Sequence, residues 1–281
     1  MTLELAGRTH IGLKRPENQD EVFAQILRSG ERPTACLAVA DGMGGHEKGR
    51  EASQTAIQTI QDRLEQLLSS ETVWPTEDWC ITLETAAHQS VGEISQGDQV
   101  TGTTLTIALL FGDECLIGHV GDSRAYQFRG GKLIQITEDQ TWEAYASKNN
   151  IENLYGKALR QAIGVGESVV PEIFHLDLKP NDLLLLCSDG LYKMAEADQI
   201  EATLRESGNA KDACDRLLNL ALENGGKDNV AVCVARVSDA GGHFQAPSQS
   251  RLVRLDPPLV AAVLALLVTG ALLFLTVTHH I

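Results

Sequence analysis

The sequence predicts an α+β fold of antiparallel sheets with helices packed outside, followed by one transmembrane helix. Three observations predict it. Stretches with strand character arrive in runs, stretches with helical periodicity arrive in pairs, and a charge-free apolar stretch closes the chain. A βαβ fold would instead interleave single helices with single strands.

Residues 2–13, 21–28 and 34–40 are short apolar or alternating stretches that read as strands, with Arg15 in the loop between the first two. From Arg50 to Leu68 the residues Ala52, Ala56, Ile57, Ile60, Leu64, Leu67 and Leu68 recur at three- and four-residue spacing, which predicts an amphipathic helix. A second helix follows Pro75, with Thr76 as its cap and Trp79, Leu83, Ala86, Ala87, Val91 and Ile94 facing inward. Thr103 to Thr137 reads as a meander of four strands, with turns at Gly112-Asp113, Gly121-Asp122 and Gly130-Gly131. Residues 141–163 read as irregular helix, Glu172–Leu176 and Leu183–Cys187 as strands, Ala197–Glu206 and Ala210–Leu222 as a helix pair, and Asn229–Val237 as the last strand.

Residues 1–237 make one domain, which a chain of 281 residues accommodates. Residues 238–258 shift toward Gly, Ser, Gln and Pro and read as a flexible linker. Residues 259–278, LVAAVLALLVTGALLFLTVT, carry no charge, and as a helix they match the ~30 Å bilayer core. Arg251 and Arg254 precede this span and only the short tail 279–281 follows it, so the positive-inside bias places the domain in the cytosol, anchored to the cytoplasmic membrane by a single pass. A formal charge of −15 argues against nucleic acid or an anionic lipid surface as a partner. The six cysteines (36, 80, 115, 187, 214 and 233) lie mostly within apolar runs, without zinc-ligand spacing, and read as buried reduced thiols. MTLELAGRTH carries no apolar signal region.

The chemistry centres on LAVADGMGGHEKG, Leu37 to Gly49, where an apolar run stops at Asp41 and glycines let the backbone bend closely around whatever that carboxylate holds. An isolated Asp-Gly is ordinarily a turn dipeptide. Here LIGHVGDSR with Asp122, LLLLCSDG with Asp189 and GGKDNVAV with Asp228 place further aspartates beside apolar runs, and Asp20 closes RPENQD. Aspartates brought from distant strand ends suit hard cations, which prefer oxygen ligands. The same acidity repels phosphate unless bound divalent ions reverse the local sign, so a metal-free site of this kind is expected to be inert.

Taken in order, Arg15–Asp20 (RPENQD), Asp41–His46 (DGMGGH), Thr101–Thr104 (TGTT), Gly121–Arg124 (GDSR), Ser188–Gly190 (SDG) and Asp228–Asn229 (DN) resemble the metal-dependent protein serine/threonine phosphatases of type 2C, in their bacterial form. The resemblance spans residues 1 to about 237. It implies a four-layer αββα sandwich, two antiparallel sheets flanked by helix pairs, with the site at one end. It further implies that Asp41 bridges two Mn or Mg ions, with the carbonyl of Gly42 on one and Asp189 and Asp228 on the other. Asp20 would hold coordinated water, Asp122 with Asp189 a third and weaker ion, and Arg15 the phosphate, its planar fork matching two oxygens. Two such ions activate a shared water and neutralise charge on a phosphoryl group. The implied activity is hydrolysis of phosphoserine and phosphothreonine on cytosolic proteins, opposing a serine/threonine kinase.

Two departures qualify the resemblance. Met43 stands where the eukaryotic branch has a histidine proposed as general acid, so the leaving oxygen needs another proton source, such as a metal-coordinated water. Gln140 stands where many bacterial members carry histidine, and the segment after Thr137 is shorter than their flap. Substrate preference is therefore the least transferable property. Competing readings are weaker. GGHEKGR, Gly44 to Arg50, lacks the Lys-Ser/Thr pair of a P-loop, and Cys187 lacks the arginine six residues on that a cysteine-nucleophile phosphatase requires, that position being Lys193. A catalytically inactive phosphatase-fold binding module tethered to the membrane is the remaining alternative.

Overall fold

Alternation along the strands sorts the apolar side chains into three layers. In β10 (Leu183–Cys187), Leu184 and Leu186 face one way and Leu185 the other. The computed structural model describes residues 2–29, 32–44, 47–69, 75–94 and 100–238. One sheet orders β1 (Thr2–His10), β11 (Val230–Ser238), β10, β7 (Arg124–Arg129) and β8 (Lys132–Gln135). The other orders β2 (Asp20–Ser29), β3 (Arg32–Met43), β5 (Leu105–Phe111), β6 (Glu114–Val120) and β9 (Glu172–Asp177), with β4 (Gly102–Thr103) pairing beyond them on β3. All of these pairings are antiparallel.

Leu37, Val39 and Ile117 of the second sheet meet Leu184, Leu186 and Cys233 of the first, which closes the sandwich. On the outer face of the second sheet, α1 (Glu47–Ser69) and α2 (Glu77–Ile94) bury Ile60, Leu64 and Leu83 against Leu105 and Ile107. On the outer face of the first, α5 (Ala197–Glu206) and α6 (Ala210–Glu223) bury Ile200, Leu204 and Leu217 against Leu185, Val232 and Val234. Helix pair, sheet, sheet and helix pair is the layering that the resemblance implies. Among the described residues no helix is long and apolar enough to cross a membrane. The expected span 259–278, its linker apart from Ser238, the tail 279–281 and His46 lie outside those residues; Ser238 is the last residue of β11.

The structure differs from the sequence expectation in several places. The four-stranded meander is two hairpins in different sheets: β5–β6 belongs to one, β7–β8 to the other, and the chain crosses between them at Gly121–Ser123. Gly121 has φ +111, and a Cβ there would lie 2.7 Å from Thr104 Cγ2, so the crossing requires glycine. The helix expected over 141–163 is only α3 (Trp142–Asn149), which Asn150 ends in a left-handed conformation at φ 52. Beyond it the chain returns by isolated bridges, Thr141 to Leu159 and Thr103 to Ile163. The short α4 (Asp189–Tyr192) has no counterpart in the hydrophobic pattern. On α2, Ile94 is half-buried, whereas Glu84 is fully buried.

Glu84 has no hydrogen-bond partner for either carboxyl oxygen among the described residues. It fills the notch left by Gly118 on β6, where a Cβ would fall 2.5 Å from Glu84 Oε2. Burial pushes its pKa well above the ordinary 4.5, which keeps the group neutral. Because the folded value exceeds the unfolded one, its contribution is complete below about 4.5 and is lost as pH rises. Glu84→Met is therefore expected to stabilise the protein at pH 8 by about 1–3 kcal/mol, with a smaller gain at pH 5. Urea midpoints at the two pH values check this, and equal gains would contradict it.

Candidate active site

The site is assembled from both sheets at one end of the sandwich. Strand register sets Asp20 on β2 opposite Asp41 on β3. The expectation that β3 runs out at Asp41 is corrected: it exchanges its neighbour β5 for β4 and continues, with Gly42 opposite Thr103 and Met43 opposite Gly102. Thr104 clamps the backbone there, its N–H donating to the Asp41 carbonyl at 2.9 Å and its Oγ1 accepting from the Asp41 N–H at 3.0 Å. A Cβ on Gly42 would lie 2.0 Å from the carbonyl oxygen of Gly49, so glycine is what lets α1 begin this close to the acidic strand end.

The first sheet supplies Ser188 and Asp189 after β10, and Asp228 and Asn229 before β11. Ser188 Oγ donates to Asp20 Oδ2 at 2.6 Å and accepts from the Ala231 N–H at 2.9 Å. Asn229 ties down the RPENQD loop, its Nδ2 donating to the carbonyls of Ile11 (2.8 Å) and Glu17 (2.9 Å) and its Oδ1 accepting from the Gln19 N–H (2.9 Å). That loop brings Arg15 Nη2 to 2.8 Å from Asp228 Oδ2. The Lys193 ammonium pairs with Asp189.

Carboxylates this crowded raise one another's pKa. Asp20 is pushed up to about 7 by burial and by the charges of Asp189 and Asp228, against the Ser188 hydrogen bond. Asp41 is held well above its ordinary value by burial and then by Asp20, Asp189, Asp122 and Asp228. Asp122, at the crossing between the sheets, is pushed up to about 6 by burial and by Asp189. Arg15, Asp20, Asp41, Gly42, Asp122, Asp189 and Asp228, singled out in the sequence, thus come together. No group of three His, Cys, Asp or Glu side chains among the described residues forms a ready cation cage; Arg15 and Lys193 instead sit on Asp228 and Asp189. Hard oxygen donors with more negative charge than these two side chains cancel fit divalent Mn or Mg.

The neighbouring residues are structural. Gln140 Oε1 accepts from the Gly121 N–H at 3.0 Å and its Nε2 donates to the His119 carbonyl at 3.2 Å. His119 is buried against Thr106 and Glu138, and burial pushes its pKa down to about 4, so it is neutral. All six cysteines are free and buried. Burial pushes the Cys187 thiol up to about 12, which removes the thiolate that a cysteine-nucleophile reading needs. The roles of Thr104, Ser188 and Asn229 were not read from the sequence, although the motifs holding them were.

A family model for protein phosphatase 2C matches residues 6–231. The chain belongs to the protein phosphatase 2C family. It is 34% identical over 245 residues to the serine/threonine protein phosphatase PstP of Mycobacterium tuberculosis, covering 85% of this chain and 46% of PstP, so it spans about half the length of that relative. The S. agalactiae serine/threonine phosphatase structure matches with a TM-score of 0.76 at 27% identity, over 84% of this chain and 100% of that one. A PstP catalytic domain solved with two manganese ions matches with a TM-score of 0.69 at 33% identity, over 84% and 99%.

For this member of the 2C family the crowding has a measurable consequence. Asp20 has an ordinary value of 3.8 and a folded value of about 7, so without metal its contribution to stability is lost as pH rises through that window. The rise in Tm caused by saturating Mn is expected to be larger at pH 7.5 than at pH 5. Calorimetry with Mn and with EDTA checks this; equal shifts at both pH values would contradict it.

Proposed function

We propose that this chain is a metal-dependent protein phosphatase that hydrolyses phosphoserine and phosphothreonine on cytosolic proteins, reversing a protein kinase, while tethered to the cytoplasmic membrane. The observation that carries the activity is the meeting of Asp20 and Asp41 from one sheet with Asp189 and Asp228 from the other, beside Arg15. Asp41, the Gly42 carbonyl, Asp189 and Asp228 would hold two Mn or Mg ions, and Asp20 would order water next to them. Bound there, the ions supply an activated water and neutralise charge on the phosphoryl group.

The remaining work falls to the chain itself. Arg15 is exposed over about half of its side chain (52%) and pairs with Asp228 in a single contact, so its guanidinium is free to exchange that carboxylate for two phosphate oxygens. Ser188 fixes Asp20 through its hydroxyl, beside the Asp41 carboxyl with which Asp20 also interacts. Met43 has no proton to give, so the leaving oxygen needs another proton source, such as a coordinated water. The anchor rests on the charge-free stretch 259–278 and the flanking Arg251 and Arg254.

Hydrolysis of para-nitrophenyl phosphate and of a phosphothreonine peptide is expected with Mn or Mg, to stop with chelator, and in Asp41→Ala to fall to the chelator level. Arg15→Ala is expected to lose about 10- to 100-fold in kcat/KM, the worth of a charge-assisted hydrogen bond. A folded protein inactive in every metal would sink the enzyme reading and favour an inactive binding module. For the tether, the full chain should partition with membranes and a chain ending at Ser238 should stay in the supernatant; equal partitioning would overturn the anchor.

A further inference from the structure

Lys193 lies one helical turn from Asp189, and its partly exposed side chain brings the ammonium onto that carboxylate at the edge of the acidic cluster. The backbone that carries it is held through its neighbour Tyr192. Tyr192 Oη donates to the Asp122 carbonyl at 3.0 Å, pinning α4 to the crossing between the sheets. The Tyr192 ring is in turn covered by the Arg124 guanidinium 3.6 Å from its centre, and Arg124 is locked on Asp139 by two 2.7 Å hydrogen bonds. From that backbone position the Lys193 ammonium pairs with Asp189 and feels the charges of Asp122 and Asp41.

We infer that Lys193 is a built-in counter-charge for the edge formed by Asp122 and Asp189, standing in for the third, weaker metal ion that those two carboxylates would otherwise recruit. The inference rests on the two-ion reading proposed above. Asp20, Asp41, Asp122, Asp189 and Asp228 together carry one more negative charge than two divalent ions cancel. Arg15 does not supply the balance, because it is needed on phosphate. Lys193 is the second cation that the chain brings to this cluster, on Asp189 rather than Asp228, and a tethered ammonium neutralises the remaining charge there at no cost in association entropy. A divalent ion arriving at that edge would meet a like charge already in place. Lys193 is thus a positioning residue that sets metal stoichiometry, not a catalytic one.

The test is Mn binding to the full chain, followed by loss of the free-Mn paramagnetic signal and by titration calorimetry. The expected result is two ions bound by the wild type, three by Lys193→Asn and by Lys193→Gln, and two again when Asp122→Asn is added to either. Lys193→Arg, which keeps the charge, is expected to stay at two. A third ion on the wild type with the same affinity as in Lys193→Asn, or neutral variants that remain at two ions, would overturn the inference while leaving the two-ion site standing. A wild type that binds no Mn would instead sink the proposed function, and this inference with it.

Discussion

The 2.6 Å hydrogen bond from Ser188 to Asp20 joins the two sheets where both bring carboxylates to the same end of the sandwich. Ser188 follows β10 in one sheet and Asp20 opens β2 in the other, so the bond holds together what the charges would push apart. It is backed by the Ala231 N–H on the same hydroxyl and by Asn229, which ties the Arg15 loop down from the first sheet. The cluster itself contributes nothing favourable when ionised and metal-free. The apolar layers, above all the one between the sheets, supply the cohesion that lets it exist.

The same crowding selects for ligand. Carboxylates with raised pKa values, short of counter-charge and offering only oxygen, favour a hard divalent cation over a soft one and over an empty site. The two basic side chains at the cluster then differ in kind. Arg15 reaches in from a loop and is half-exposed, which suits the proposed exchange of a carboxylate for a phosphate. Lys193 follows a helix turn that Tyr192 and Arg124 hold against the sheet crossing, which suits the counter-charge role inferred for it.

Strands were legible as short apolar or alternating runs bounded by turn residues, such as Leu183–Cys187, and helices by their spacing, as from Ala52 to Leu68. Which strands share a sheet was not legible. Gly112-Asp113 and Gly121-Asp122 spell the same turn signal, yet the first closes a hairpin and the second carries the chain to the other sheet. Period 2 reports which face a side chain takes, never which neighbour its backbone pairs with. The aspartates were legible because each sits beside an apolar run within a recognisable motif. Ser188 was not, since its partner Asp20 is 168 residues away, and Glu84 was not, since only the absence of a side chain at Gly118 makes room for it.

The departure at Gln140 takes its meaning from that sheet crossing. Both ends of the Gln140 amide are engaged, Oε1 by the Gly121 N–H and Nε2 by the His119 carbonyl, and the Gly121 carbonyl in turn accepts from the Gln140 N–H at 2.8 Å. These bonds satisfy the polar backbone of a buried turn whose glycine already sits at positive φ. An amide meets a donor and an acceptor at once without a change of charge, and does so at any pH at which the protein is folded. Gln140 therefore bears on where Asp122 is held, rather than on proton transfer, and through Asp122 it bears on the edge of the acidic cluster that Lys193 closes.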